Sequence, residues 1–320
     1  MLSHLADSVT RHNGRIAEDG DTGCLPKSGA RNPCQDGGMA STLITVAPTG
    51  AESAKSDVPA LPCSLDELVA TAKACEAAGA AVIHIHVRDD DAQPTLDLVW
   101  VRAAVDAVRE TTDLVVQISS GGAVTDGEDA RVGVLDSDPD AASLTCGTVN
   151  FGTDVFLNRW ELIERLYLDM REREIVPEFE LFDLGHIATM QRLLDRHGAP
   201  YGGHVHCDLV MGVPGGMPGT AHALVACVAA LPAEATWSAT GVGRTTIPVM
   251  LAALAAGGHL RVGMEDTLTY AAGAPVRDNA QLVERAAQFA TLAQRPPLSP
   301  EQARTMLGVK DRRTTRTGAR

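Results

Sequence analysis

Ala81-Val82-Ile83-His84-Ile85-His86-Val87-Arg88-Asp89-Asp90 decides the architecture. Seven strand-forming positions end abruptly in three charged ones, so the segment reads as a strand that delivers polar chemistry at its C-terminal end. The same sentence is written eight times from residue 42 onward. Strands are expected at Thr42–Ala47, Ala81–Val87, Leu114–Ile118, Ala141–Thr145, Val176–Leu181, His204–Val210, Thr236–Thr240 and His259–Gly263. Amphipathic helical stretches alternate with them, for example from Ser64, whose Ser-Leu-Asp-Glu start is a capping signal, to Ala78 before Gly79. Strictly alternating β and α units imply a parallel sheet, and eight of them favour closure into a (β/α)8 TIM barrel over the competing doubly wound open sheet.

A closed barrel carries its chemistry where strands end. The exits here read Pro48-Thr49-Gly50-Ala51-Glu52, Arg88-Asp89-Asp90, Ser119-Ser120-Gly121-Gly122, Cys146-Gly147-Thr148, Phe182-Asp183, Gly212-Val213-Pro214-Gly215-Gly216, Gly241-Val242-Gly243-Arg244 and Glu265-Asp266. Residues 1–40 are rich in Gly, Asp, Ser and Asn without apolar periodicity and are expected to be a disordered extension. The barrel is expected over 41–310, with 311–320 as a disordered tail.

With 45% hydrophobic and 21% charged residues, the 320-residue chain can bury a large core. A net charge of -14 argues against nucleic acid and anionic membranes as partners. No apolar run reaches the ~20 residues of a membrane span, and no signal-peptide pattern opens the chain. Seven cysteines, at 24, 34, 63, 75, 146, 207 and 227, form no C-x-x-C pair. They read as free thiols in a reducing compartment, so a cytoplasmic protein is expected.

His84 and His86 lie two apart on a strand, so both leave one face about 7 Å apart along the backbone and can reach one metal ion. A catalytic zinc site needs a third ligand. Glu265, taken as the end of strand eight, is the best candidate, because strands two and eight both flank strand one and sit about 10 Å apart. The bland alternative is a pair of hydrogen-bonded core histidines. His204 and His206 compete as ligands but precede Asp208, Met211 and Gly212 on their strand, which assigns them to the polar interior lower in the barrel. Arg261 can pair with Asp266 and hold it as an ionised base, or the two can form a structural rim pair. Glu178 and Glu180 share a face of strand five; Glu178 suits a salt bridge in the floor and Glu180 a cationic substrate group. Ser119, Ser120, Gly121 and Gly122 suit a bound carboxylate, and Gly212 to Gly219 an extended ligand.

As a set, Thr49-Gly50-Ala51-Glu52, His84-Ile85-His86-Val87-Arg88, Gln117-Ile118-Ser119, Gly121-Gly122, Pro177-Glu178-Phe179-Glu180, Gly212 to Met217, Gly258-His259-Leu260-Arg261 and Glu265-Asp266 resemble the β-keto acid cleavage enzymes, including those of lysine fermentation. The resemblance runs from about residue 42 to 308. It implies Zn2+ on His84, His86 and Glu265, and Asp266 as base supported by Arg261. Glu52, Ser119, Ser143 and Glu180 would surround the substrate. The chain departs from the family in carrying Ser143 for Thr, and Thr267 for Asn. The implied reaction takes a β-keto acid, with 5-amino-3-oxohexanoate as first choice, and acetyl-CoA as cosubstrate. Acetoacetate and 3-aminobutyryl-CoA are its products, and a homotetramer its implied assembly. Two rivals remain: a zinc hydrolase of the amidohydrolase type, although strand one here ends in Pro-Thr-Gly rather than H-x-H, and a barrel without catalysis.

Overall fold

The computed structural model describes residues 41–313. Its strands, in chain order, are β1 (Ile44–Val46), β2 (Val82–Ile85), β3 (Val115–Ile118), β4 (Ala141–Thr145), β5 (Val149–Phe151), β6 (Asp154–Phe156), β7 (Val176–Leu181), β8 (His206–Met211), β9 (Thr236–Gly241), β10 (His259–Val262), β11 (Thr269–Ala271) and β12 (Ala274–Pro275). The helices are α1 (Leu65–Ala78), α2 (Leu98–Thr111), α3 (Glu128–Gly133), α4 (Trp160–Glu172), α5 (Leu184–His197), α6 (Ala221–Ala230), α7 (Thr246–Ala255), α8 (Asn279–Leu292) and α9 (Pro300–Leu307). Eight strands close a parallel barrel in the order β1-β10-β9-β8-β7-β4-β3-β2. Two small antiparallel hairpins, β5–β6 and β11–β12, lie outside it.

Local chemistry places the elements. Ser64 and Glu67 form a reciprocal capping box on α1, and Gly79 ends that helix at φ 111°, where a side chain would be strained. Along each barrel strand one set of residues packs outward on the helices, with Ile44, Ile83, Ile85, Ile118, Leu144 and Phe179 all buried. The opposite set fills the barrel in layers. Leu43, Val82, Val115, Ala141 and Val176 form an apolar floor with Ala303 and Leu307 of α9 beneath it. Above the floor the interior turns polar, with His206, Glu178, Gln117, Ser143 and Ser238 all buried.

In the polar layer His206 contacts the Oγ atoms of Thr236 and Ser238 at 2.8 and 3.2 Å, and His204 meets Thr236 at 2.7 Å. Both histidines thus belong to the interior below the mouth. The partner for the salt bridge expected of Glu178 is His206. Glu178 Oε2 lies 3.4 Å from His206 Nε2, but burial pushes Glu178 up to about 8 and holds His206 well below its usual range. Burial thus works against charge on both partners of this contact, because taking a charge out of water costs free energy.

The boundaries differ from expectation where a turn takes over from a strand. β10 stops at Val262, so Glu265 lies in the following turn, in which Asp266 and Thr267 donate their N–H groups to Gly263 O. That turn folds over β1: Glu265 N donates to Ala47 O at 3.2 Å. A Cβ on Gly263 would stand 1.9 Å from Ala47 O, a backbone atom with no room to move. Gly263→Ala is therefore expected to cost about 3 kcal/mol of stability in urea unfolding, as overpacking against rigid structure does. A change under about 0.5 kcal/mol would mean the turn can shift freely.

The expected disordered segments lie mostly outside the described residues. Asp311 to Arg313 are within them, and Arg312 is buried with its Nε donating to Asp138 at 2.7 Å. Arg313 bridges Glu301 at 2.9 Å, so the ordered chain continues past the expected boundary at 310. Cys63, Cys75, Cys146, Cys207 and Cys227 are buried free thiols; Cys24 and Cys34 lie outside the described residues. Among the described residues no helix is long and apolar enough to cross a membrane.

Candidate active site

β2 carries His84, and the chain runs on to His86 just past the strand end, with ring centroids 5.3 Å apart. Glu265 Oε1 lies 3.9 Å from His84 Nε2 and 3.6 Å from His86 Nε2. One ligand atom from each of the three falls within 4.8 Å of the others. Gly50, at φ 66°, passes so close that a Cβ there would meet Glu265 Cγ at 2.7 Å, which holds the carboxylate over the imidazoles.

The donor set fits a divalent metal. Gln117 Oε1 sits 2.5 Å from His84 Nδ1, so an N–H there donates to the amide and leaves Nε2 with its lone pair toward Glu265. Burial lowers both imidazoles, His84 to about 3, and keeps them neutral. Burial is the largest influence on Glu265 and would raise it, but Arg261, His86 and His84 together more than offset it and hold the carboxyl at about 2. Glu265 Oε2 is buried with no hydrogen-bond partner among the described residues, an orphaned acceptor of the kind a cation satisfies.

Arg261 is the electrostatic hub. It is buried and reaches four carboxylates: Glu180 at 3.2 Å, Asp208 at 3.9 Å, Asp266 through Nη2 at 3.2 Å and Nε at 3.4 Å, and Glu265 through Nη2. The Arg261 to Asp266 contact read from the sequence is present, and it is one of four. Burial pushes Asp266 up to about 7 in spite of Arg261, which places it near the range where a carboxylate works as a proton acceptor.

Around this centre lies a cavity of about 270 Å³. Ser119, Glu180 and Glu52 line it. Ser119 Oγ accepts from Gly121 N at 3.2 Å, and Glu180 Oε2 accepts from Thr145 Oγ1 at 2.8 Å. Glu52 is exposed at the mouth. Ser143 does not reach the cavity. It sits one step lower, level with Glu178, and its Oγ accepts from Ser120 N at 3.3 Å; the hydroxyl level with Glu180 is that of Thr145.

Several working residues carry no site role in the sequence reading. Asp208 receives a 2.7 Å hydrogen bond from Thr240 and faces Arg261. Opposite the ionic centre stands an apolar wall of Phe151, Phe156, Phe182, Val210, Val213 and Val242. It uses three of the chain's five phenylalanines. Two of them come from the β5–β6 hairpin, for which Gly152 between two short alternating runs was the available signal. Arg131 ties hairpin to barrel by donating to Ser120 O at 2.8 Å and Asn158 Oδ1 at 2.6 Å, with its guanidinium over the Phe156 ring. Arg88 donates to Gly50 O at 2.7 Å and Ser53 O at 2.8 Å, fixing the loop that carries Glu52.

One face of the cavity thus gathers charge and the other excludes water. Residues 41–309 match the family described as beta-keto acid cleavage enzyme. The chain is 37% identical over 277 residues to the 3-keto-5-aminohexanoate cleavage enzyme of Acetoanaerobium sticklandii, covering 85% of this chain and 99% of that one. It is 34% identical over 271 residues to the 3-oxoadipate:acetyl-CoA acetyltransferase of Cupriavidus necator, covering 83% and 94%. The apo structure of ObcA shares the fold at a TM-score of 0.68 and 20% identity, over 78% of this chain and 66% of that one. With its family motifs set around one cavity and the match spanning nearly every described residue, the chain belongs to the β-keto acid cleavage enzyme family.

Proposed function

We propose that this enzyme is a Zn2+-dependent acyltransferase that exchanges a β-keto acid with acetyl-CoA. The observation that carries the proposal is the convergence of His84, His86 and Glu265 within 4.8 Å beside the buried Asp266. Zn2+ held by that trio would supply Lewis-acid polarisation of a substrate oxygen. Asp266 takes a proton from C2 of the β-keto acid, with Arg261 holding the carboxylate in line. The C2 carbanion attacks the thioester carbonyl of acetyl-CoA and expels the coenzyme A thiolate. The thiolate then attacks the former keto carbon, and cleavage of its bond to C2 releases the new acyl-CoA. The acetoacetate carbanion takes back the proton from Asp266, so no net proton is consumed. Ser119 offers a hydroxyl to the substrate carboxylate, and the apolar wall keeps water from the carbanion.

For the substrate, 5-amino-3-oxohexanoate is the first choice, giving 3-aminobutyryl-CoA. Its support is the exposed Glu52 carboxylate lining the cavity, suited to an ammonium, and the name of the Acetoanaerobium relative. The relative from Cupriavidus is named for a dicarboxylic keto acid, so the far end of the substrate varies across the family. The amidohydrolase alternative has no support in the family match, and β1 leads into Pro48-Thr49-Gly50 with no histidine.

The test is acetoacetate release from a panel of β-keto acids with acetyl-CoA, using native, chelated and zinc-restored protein. Chelation is expected to lower turnover at least 100-fold and zinc to restore it, since the metal's charge stabilisation is worth several kcal/mol. Turnover that persists after complete metal removal would sink the zinc assignment. Turnover without acetyl-CoA would sink the exchange, and equal rates with neutral β-keto acids would sink the choice of the amino substrate.

A further inference from the structure

Acetyl-CoA brings phosphates to a chain of net charge -14, whose mouth exposes Glu52, Asp57, Asp90 and Asp91 on the β1 and β2 exits. Most of the cations at that end are already engaged. Lys55 pairs with Glu67 at 2.6 Å, Arg159 with Glu128 at 2.7 Å and Arg277 with Asp278 at 2.8 Å, while Arg88 is bound to backbone carbonyls. Arg244 is different. It lies in the exposed turn between β9 and α7, and its guanidinium has no ion-pair or hydrogen-bond partner among the described residues.

The surroundings of Arg244 differ from the rest of the rim as well. Between Asp208 and Arg261 the only charged residues are Glu234 and Arg244. Glu234 precedes β9 and so belongs to the opposite end of the barrel, leaving Arg244 as the one charge at the active-site end of this sector. Beside it runs the uncharged loop from Gly212 to Thr220, with Pro214 and Gly215 exposed. The two segments are packed together: Cβ atoms on Gly212 or Gly219 would meet Thr245 within about 2.5 Å. Val213 on one segment and Val242 on the other both line the cavity, so this neutral ridge leads from Arg244 into the site.

Resting on the acetyl-CoA reading above, we infer that acetyl-CoA enters over the β8 and β9 exits, with Arg244 taking its phosphates and the Val213–Val242 edge passing the pantetheine arm. An unpaired cation among exposed residues that are otherwise uncharged attracts an anion to the β8 and β9 exits, while the acidic exits of β1 and β2 repel it. Coulomb steering of this kind also predicts that acetyl-CoA binding weakens with salt.

The experiment compares wild type, Arg244→Ala and Arg244→Lys as full chains, with acetyl-CoA and with acetyl-pantetheine, which lacks the nucleotide. Arg244→Ala is expected to raise KM for acetyl-CoA about tenfold, the worth of one charge-assisted contact, and to flatten its salt dependence. KM for the β-keto acid should stay within about twofold, and Arg244→Lys should recover most of the loss. With acetyl-pantetheine, wild type and Arg244→Ala should give the same KM. An unchanged KM for acetyl-CoA in Arg244→Ala, or an equal loss with acetyl-pantetheine, would overturn this entry route. Calorimetry with coenzyme A alone separates the two claims. Wild type that neither binds coenzyme A nor consumes acetyl-CoA sinks the proposed function together with this site. Wild type and Arg244→Ala that bind it equally well sink the site alone.

Discussion

Asp266→Asn is expected to lower kcat about 10³-fold with little change in fold stability, the usual weight of a positioned general base. The amide keeps the shape of the carboxyl and can still contact Arg261, so the change removes proton-accepting ability more than packing. Its neighbours are poor substitutes. Glu265 is held at about 2 by Arg261 and faces the imidazoles, and Glu180 is committed to Arg261 and Thr145. Exchange of the substrate's C2 hydrogen into deuterated water, followed without acetyl-CoA, isolates the first step. Wild type should exchange and Asp266→Asn should not. Exchange in the variant at a tenth of the wild-type rate or more would give the proton to another group and leave Asp266 as a structural partner of Arg261.

The sequence made the barrel legible because each strand is short, apolar and followed by a charged or glycine-rich exit. β4 and β7 fall on the expected residues, since Pro177-Glu178-Phe179-Glu180 alternates cleanly and the Ala141 to Thr145 run is bounded by Asp140 and Cys146-Gly147. His84 and His86 were legible for the same reason: a period of two on one strand fixes a shared face without knowledge of any other strand. What stayed hidden depends on register between strands. Gln117 serves His84 only because β2 and β3 pair those two residues side by side. Asp208 meets the arginine because β8 sets it beside Glu180 of β7. Ser143 falls short of the cavity by the same logic, since β4 pairs it with Glu178 and sets Thr145 at the level of Glu180. A one-residue change of register would have reversed each outcome, and no single strand's pattern carries that information.

Arg261→Met should be the most destabilising single change at the site, costing about 3 to 5 kcal/mol at neutral pH. Methionine fills similar space, but it leaves Glu180, Asp208, Glu265 and Asp266 buried together without their shared cation. Arg261→Lys should recover only part of this, because a point charge cannot contact carboxylates in several directions as the planar guanidinium does. The sign of the pH dependence separates charge from packing. In Arg261→Met the buried Asp208, Glu265 and Asp266 lose the group that favours their ionised form, so Glu265 rises from about 2 and Asp208 and Asp266 climb further above the about 6 and about 7 that burial already gives them. Stability linked to raised carboxyl pKa values is present at low pH and lost as pH rises through the folded values. The gap between wild type and variant in urea unfolding should therefore widen from about pH 5.5 to about pH 8, whereas a packing defect would give a constant gap. Removing one of the stranded charges should close part of it: Arg261→Met with Asp208→Asn is expected to be about 1 to 2 kcal/mol more stable than Arg261→Met alone, a coupling that only contacting charges produce. If the double variant were no more stable than the single one and the gap were flat with pH, the four carboxylates would not be sharing the arginine, and its role would reduce to filling the barrel.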